Sequence, residues 1–111
     1  MSNHDDETRL CHMLDAAKEA CGFTQGKTRA SLDSDRMLTL SLIKLIEIIG
    51  EAASRVSKEK PAELSELPWS QIISMRNRLI HAYFDIDLDI LWQTVYEDLN
   101  PLITELEKEI D

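Results

Sequence analysis

The run Ser34-Asp35-Arg36-Met37-Leu38-Thr39-Leu40-Ser41-Leu42-Ile43-Lys44-Leu45-Ile46-Glu47-Ile48-Ile49-Gly50-Glu51-Ala52-Ala53-Ser54-Arg55-Val56-Ser57 decides the fold class. Within it, Leu38, Leu42, Leu45, Ile49, Ala52 and Val56 follow at alternating steps of four and three, the spacing of a helix facing a bundle core. Ser34 or Asp35 suits the N-terminal cap, because a short polar side chain can accept from a backbone N–H left unpaired in the first turn. A second row, Met37, Leu40, Ile43 and Ile46, lies beside the seam, with Ile48 further round. That is more apolar surface than one seam needs, so the helix is either central to a bundle or part of a subunit interface; periodicity leaves both open. Glu47 and Glu51 form an i, i+4 acidic pair with Lys44 and Arg55 in reach, which reads as a charged, solvated face.

Before this helix, the spacing of Leu10, Met13, Leu14, Ala17 and Cys21 predicts a first helix from about Asp6 to Ala20, with Gly22 as its stop. Gly26 marks the connector, in which Lys27 and Arg29 read as solvated charges and Arg29 to Leu32 as one short helical turn. After it, the pattern breaks from Lys58 to Leu67 around Pro61, and Pro68 opens a third helix well because the first helical position needs no N–H. Trp69, Ile72, Ile73, Leu79, Ile80 and Phe84 supply its apolar content, and it stops between His81 and Ile86. Asp87 reads as the N-cap of a fourth helix carrying Leu88, Leu91, Trp92, Val95 and Leu99, with Asp89 in its first turn. Pro101 should kink or restart that helix before a last segment with Leu102, Ile103, Leu106 and Ile110. Asp85, Asp87 and Asp89 do not make a calcium loop: Ile90 stands where the loop needs glycine and Tyr96 where it needs a bidentate glutamate.

With no internal repeat, the 111 residues read as one domain, 1–111, an all-α antiparallel bundle of four to five helices. The longest apolar runs fall short of the roughly 18 residues of a membrane span, and the polar, acidic start does not resemble a signal peptide, so a soluble, cytoplasmic protein without membrane contact is expected. Cys11 and Cys21 lie about 15 Å apart along one helix and cannot bridge there; both read as packing residues of a reducing compartment. No metal-ligand spacing accompanies them, and no metal or other cofactor is expected. The formal charge is −9, with 21 acidic against 12 basic residues, which argues against broad non-specific binding to nucleic acid. Any nucleic-acid function needs a local basic patch or a site shared between subunits.

The chemistry concentrates in Met75-Arg76-Asn77-Arg78-Leu79-Ile80-His81-Ala82-Tyr83-Phe84. Arginine is permanently charged and suited to phosphate, and histidine exchanges a proton near neutral pH, so the pair points to phosphoester chemistry. Arg76 and His81 are five residues apart, a rotation of roughly 140° on an ideal helix, and so do not face the same way. A loosened helix, a wrapped arginine or two copies meeting on a two-fold axis would bring them together, and the last also concentrates positive charge on an acidic chain. Asn77 and His81 are i, i+4 neighbours and could fix the imidazole by a hydrogen bond. Glu51 could orient an arginine of this stretch, since carboxylates commonly fix guanidinium geometry. The plainer alternative pairs the arginines with surface acids and makes His81 and Tyr83 packing residues.

The stretch Pro68-Trp69-Ser70-Gln71-Ile72-Ile73-Ser74-Met75-Arg76-Asn77-Arg78-Leu79-Ile80-His81-Ala82-Tyr83-Phe84-Asp85-Ile86-Asp87 resembles the signature of HepT-like proteins of the HEPN superfamily, the toxin partners in MNT/HepT toxin-antitoxin systems. The likeness extends through Asp35-Arg36-Met37, Glu47-Ile48-Ile49-Gly50-Glu51-Ala52-Ala53 and Trp92, nearly the whole chain. It implies a HEPN-like helical bundle that dimerises, or assembles further, with both subunits lining one cleft. It also implies a metal-independent endoribonuclease of a type VII toxin-antitoxin system, with Arg76 and His81 as the catalytic pair and Asn77 in support. Tyr83, which completes the Arg-x-x-x-x-His-x-Tyr motif, is by this resemblance the residue to which an MNT-type nucleotidyltransferase antitoxin attaches AMP. The acidity of the chain motivates an alternative, a non-catalytic dimeric module that binds RNA or a nucleotidyltransferase without cutting.

Overall fold

The computed structural model describes residues 3–56, 72–73 and 87–110. The described residues form helices α1 (Asn3–Phe23), α2 (Ser31–Ser34), α3 (Arg36–Ser54), α4 (Leu88–Gln93) and α5 (Leu99–Ile110), with a π turn over Thr94–Asp98 between the last two. No strand occurs among them, so the all-α bundle expected from the spacing is what forms. Of the expected third helix, only Ile72 and Ile73 fall within the described residues; both are helical, and Ile72 is buried in the core.

α3 starts at Asp35, whose backbone is extended and whose carboxylate accepts from the Leu38 N–H at 3.0 Å. This satisfies one of the donors that every helix start leaves open. The helix closes on a tightened turn, with the Arg55 N–H bonded to the Ala52 carbonyl at 3.1 Å, and ends at Ser54 rather than near Ser57. All six seam residues are buried, Val56 included. The second row divides: Ile43 and Ile46 join the core, whereas Met37 is 80% exposed and Leu40 49%.

α1 packs against both α3 and α5. It runs antiparallel to α5, since Lys18 reaches Glu107 at 3.0 Å while Cys21, further along, meets Asn100. Leu10 and Met13 anchor its buried stripe; Ala16, Ala17 and Ala20 add little bulk there, which lets two neighbours approach the same helix closely. Leu42, Ile46 and Ile49 from α3 and Leu91, Leu99 and Leu106 from the C-terminal run are essentially inaccessible. Each contributes on the order of 1.5–3 kcal/mol by leaving water.

Two expectations about connectors need correction. Gly22 does not stop α1, which continues to Phe23; a Cβ at Gly22 would meet nothing within 4 Å. The reversal comes at Gly26, whose φ of 72° lies in the left-handed region that glycine occupies without steric cost. Arg29 is not a solvated loop charge either. Its Nε donates to Asp89 at 2.6 Å and its Nη1 to Asp33 at 3.1 Å, so it ties the connector to the start of α4. An ion pair across 60 positions leaves no periodic trace in the sequence, and spacing cannot find it.

Asp87 caps α4 as expected, its carboxylate accepting from the N–H groups of Asp89 at 3.0 Å and Ile90 at 3.2 Å. Pro101, where the sequence predicts a kink or restart, lies in the first turn of α5, directly after the π turn. The Leu99 N–H bonds to the Thr94 carbonyl five residues back, and the register slips just ahead of the proline. Because proline lacks an N–H and its ring crowds the carbonyl four residues earlier, a wider turn ending at Asp98 accommodates it.

Candidate functional site

Of the residues singled out for chemistry, Glu51 is described, whereas Arg76, Asn77, His81 and Tyr83 lie outside the described residues. The segment that carries them is bracketed by two placed anchors. Ile72, four residues before Arg76, is buried in the core, and Asp87, four residues after Tyr83, caps α4 at the point where Arg29 grips Asp89. Both ends of the motif segment are therefore tied to the packed helices.

Glu51 stands one turn from the end of α3. Its carboxylate meets Arg55 at 2.7 Å, and the residue takes part in a further interaction. The i, i+4 pairing expected from spacing is thus present, while Lys44 reaches Glu47 only at 4.0 Å. Both pairs are half exposed or more at one partner, so their worth is about 1 kcal/mol or less.

These charges line an open groove of about 350 Å³ between α1 and α3. Arg9 and His12 enter from α1, one turn apart; Lys44, Glu47, Glu51 and Arg55 enter from α3 around Ile48 and Ala52. Because the N-terminal half of α1 faces the C-terminal half of α3, the two helices are antiparallel. Three cations and one imidazole against two carboxylates make this groove a positive feature on a chain of net charge −9. Spacing marks the α3 side as a charged face but not Arg9 and His12, which become part of it only when α1 packs alongside.

Elsewhere, Trp92 and Tyr96 stack with ring centroids 5.7 Å apart, and Tyr96 is 66% exposed. Cys11 and Cys21 are free and half-buried, and burial pushes the Cys21 thiol up from its ordinary value, which disfavours the reactive thiolate. Asp6 is a buried carboxylate that spacing does not single out, and it is engaged in a polar interaction. Among the described residues, no three His, Cys, Asp or Glu side chains are placed to hold a metal ion, and no helix is long and apolar enough to cross a membrane.

Comparison with known proteins adds a second line of observation. The family model for ribonuclease HepT-like proteins matches residues 13–109, a span that includes Arg76 to Tyr83. A protein of Methanocaldococcus jannaschii is 32% identical over 107 residues, covering 96% of this chain and 98% of its own. One from Caldanaerobacter subterraneus is 34% identical over 101 residues, covering 91% and 87%. Both are named "Putative RNase". A protein of Thermococcus cleftensis named "Probable ribonuclease HepT" is 39% identical over 74 residues, 67% of either chain. No solved structure matches the chain.

Proposed function

The chain belongs to the family of HepT-like ribonucleases, and from that premise we propose that it is a metal-independent endoribonuclease whose catalytic pair is Arg76 and His81. The observation that carries the proposal is the family match across residues 13–109, within which Arg76, His81 and Tyr83 form a complete Arg-x-x-x-x-His-x-Tyr motif with Asn77 beside Arg76. Cutting RNA without a metal requires three things: a proton removed from the 2′-hydroxyl, charge stabilised on the phosphorane, and a proton delivered to the departing 5′-oxygen. His81 moves the protons and Arg76 stabilises the charge. Asn77 holds the imidazole by its i, i+4 position, and Glu51 orients the guanidinium. Because Arg76 and His81 point apart on a straight helix, two copies of the chain combine their residues in one cleft.

Regulation follows from Tyr83. It lies two residues from His81, so transfer of AMP from ATP to its hydroxyl, with release of pyrophosphate, places bulk and negative charge beside the catalytic pair and repels RNA. The enzyme of that transfer is a nucleotidyltransferase antitoxin, and the ribonuclease is the toxin it restrains. Addition of one AMP mass to the Tyr83 peptide on co-expression supports this arm; full neutralisation with Tyr83 unmodified replaces it with sequestration.

The test of catalysis is cleavage of single-stranded RNA by the purified protein in the presence of a chelator. His81→Ala should lower the rate by about 10²–10⁴-fold, the usual share of a general acid or base, and Arg76→Ala comparably. Cleavage that survives in both variants refutes the assignment. RNA left whole by the folded, unmodified protein would instead favour the binding module that the acidity of the chain suggests.

A further inference from the structure

The groove between α1 and α3 has a feature that the motif does not use. Arg55 is committed to Glu51 at 2.7 Å and Lys44 stands at 4.0 Å from Glu47, yet among the described residues Arg9 and His12 make no hydrogen bond or ion pair. Two donors on one turn of α1 therefore face the groove uncommitted, with Lys44 on the opposite wall. The chain carries 21 acidic residues, and leaving a guanidinium unpaired among so many carboxylates forgoes an available ion pair.

We propose that this groove is a second RNA contact, in which Arg9, with His12 and Lys44 beside it, takes backbone phosphates flanking the one that is cut. The inference rests on the ribonuclease reading above. A guanidinium fork matches phosphate oxygens in geometry as well as charge, and an imidazole N–H one turn away adds a donor. From Lys44 to Arg55 the α3 wall runs about 16 Å at 1.5 Å per residue, long enough to follow several phosphates of a strand. Ile48, 36% exposed, and Ala52 line the wall between the charges and offer apolar surface to a ribose or base. Glu51 joins the two sites, being a wall of the groove and the residue assigned to orient the catalytic arginine. The exposed Met37 and Leu40 lie further along α3 and carry no charge that would recognise RNA.

A fluorescein-labelled single-stranded oligoribonucleotide, 2′-O-methylated throughout so that it cannot be cut, tests the groove by anisotropy titration over a range of salt. Arg9→Glu should weaken binding at least tenfold and lower the slope of log Kd against log salt by about 0.7 for each phosphate that is no longer neutralised. Lys44→Glu, at a side chain 72% exposed and so without risk to folding, should act in the same direction. Lys108→Glu, on α5 and not among the residues that line the groove, changes net charge equally and should leave binding within about twofold, which reads local contact apart from the general field. Wild-type affinity and slope in both groove variants, or equal weakening by Lys108→Glu, overturns the proposal. Competition by AMP or inorganic phosphate below the oligonucleotide's own concentration range overturns it in favour of a free-nucleotide pocket. Uncut RNA is read separately: a wild type that binds through Arg9 but cleaves nothing loses the ribonuclease reading and keeps the groove. A wild type that cleaves while Arg9→Glu binds normally does the reverse. Where cleavage occurs, KM should rise in Arg9→Glu with kcat unchanged.

Discussion

The two sides of α3 are built from the same run of chain, nineteen helical residues and the C-cap Arg55, and differ in what they face. On the inner side Leu42, Ile46 and Ile49 are fully buried against α1, and their contribution is stability. On the groove side Lys44, Glu47, Glu51 and Arg55 remain wet and their ion pairs contribute little to stability, which leaves them free for the recognition proposed above. The contrast teaches that a single amphipathic helix can separate folding from function by angle alone, with Ile48 and Ala52 at the boundary.

Substitutions on either side can break that separation. Ile49→Ala, at a side chain with no exposure, should cost about 2–5 kcal/mol through lost transfer energy and the cavity left behind, seen as a lower urea midpoint. A loss below about 1 kcal/mol would mean that the inner side is not the stability determinant. Glu51→Gln should do the opposite: stability within about 1 kcal/mol of the parent, because its pair with Arg55 is largely exposed. Cleavage should fall about tenfold, roughly 1.4 kcal/mol of transition-state stabilisation. Unchanged cleavage with unchanged stability would remove Glu51 from the site.

The smallest expected effect lies off both faces, in the π turn. Partial desolvation of a residue that is still exposed, with the charge of Glu97 second, holds the Asp98 carboxyl above its ordinary value. A carboxyl whose folded value exceeds its unfolded one binds its proton more tightly in the fold. Stability therefore rises as pH falls through the folded value, and the gain is complete below the unfolded value of about 3.9. Asp98→Asn should flatten that rise just above the ordinary carboxylate range and leave α3 untouched. Melting curves between about pH 3 and pH 7 read it, and a slope identical to the parent's would contradict it.

Much of this was legible in the chain because it is local. The caps Asp35 and Asp87 are short acidic side chains immediately before apolar periodicity, and both accept first-turn N–H groups. The inner seam of α3 follows from steps of four and three. Helix ends were less legible: Gly22 has the residue type of a stop, but α1 runs one residue past it to Phe23, and the reversal waits for the positive φ of Gly26. Pro101, read as a kink or restart, follows a register slip over Thr94–Asp98 in a run packed through Leu99, Leu102 and Leu106.

The sequence by itself determined the helical class, the seam that builds the core and the Arg76 to Tyr83 motif, since each is a pattern within a short stretch of chain. The tertiary structure alone decided which of the surplus apolar residues on α3 stay exposed, the Arg29 grip on Asp89 that anchors the end of the motif segment, and the joining of Arg9 and His12 to the α3 charges. Those features depend on which faces meet, and faces distant in the chain meet only because burial of the apolar stripes fixes the angle and direction of each helix against the next.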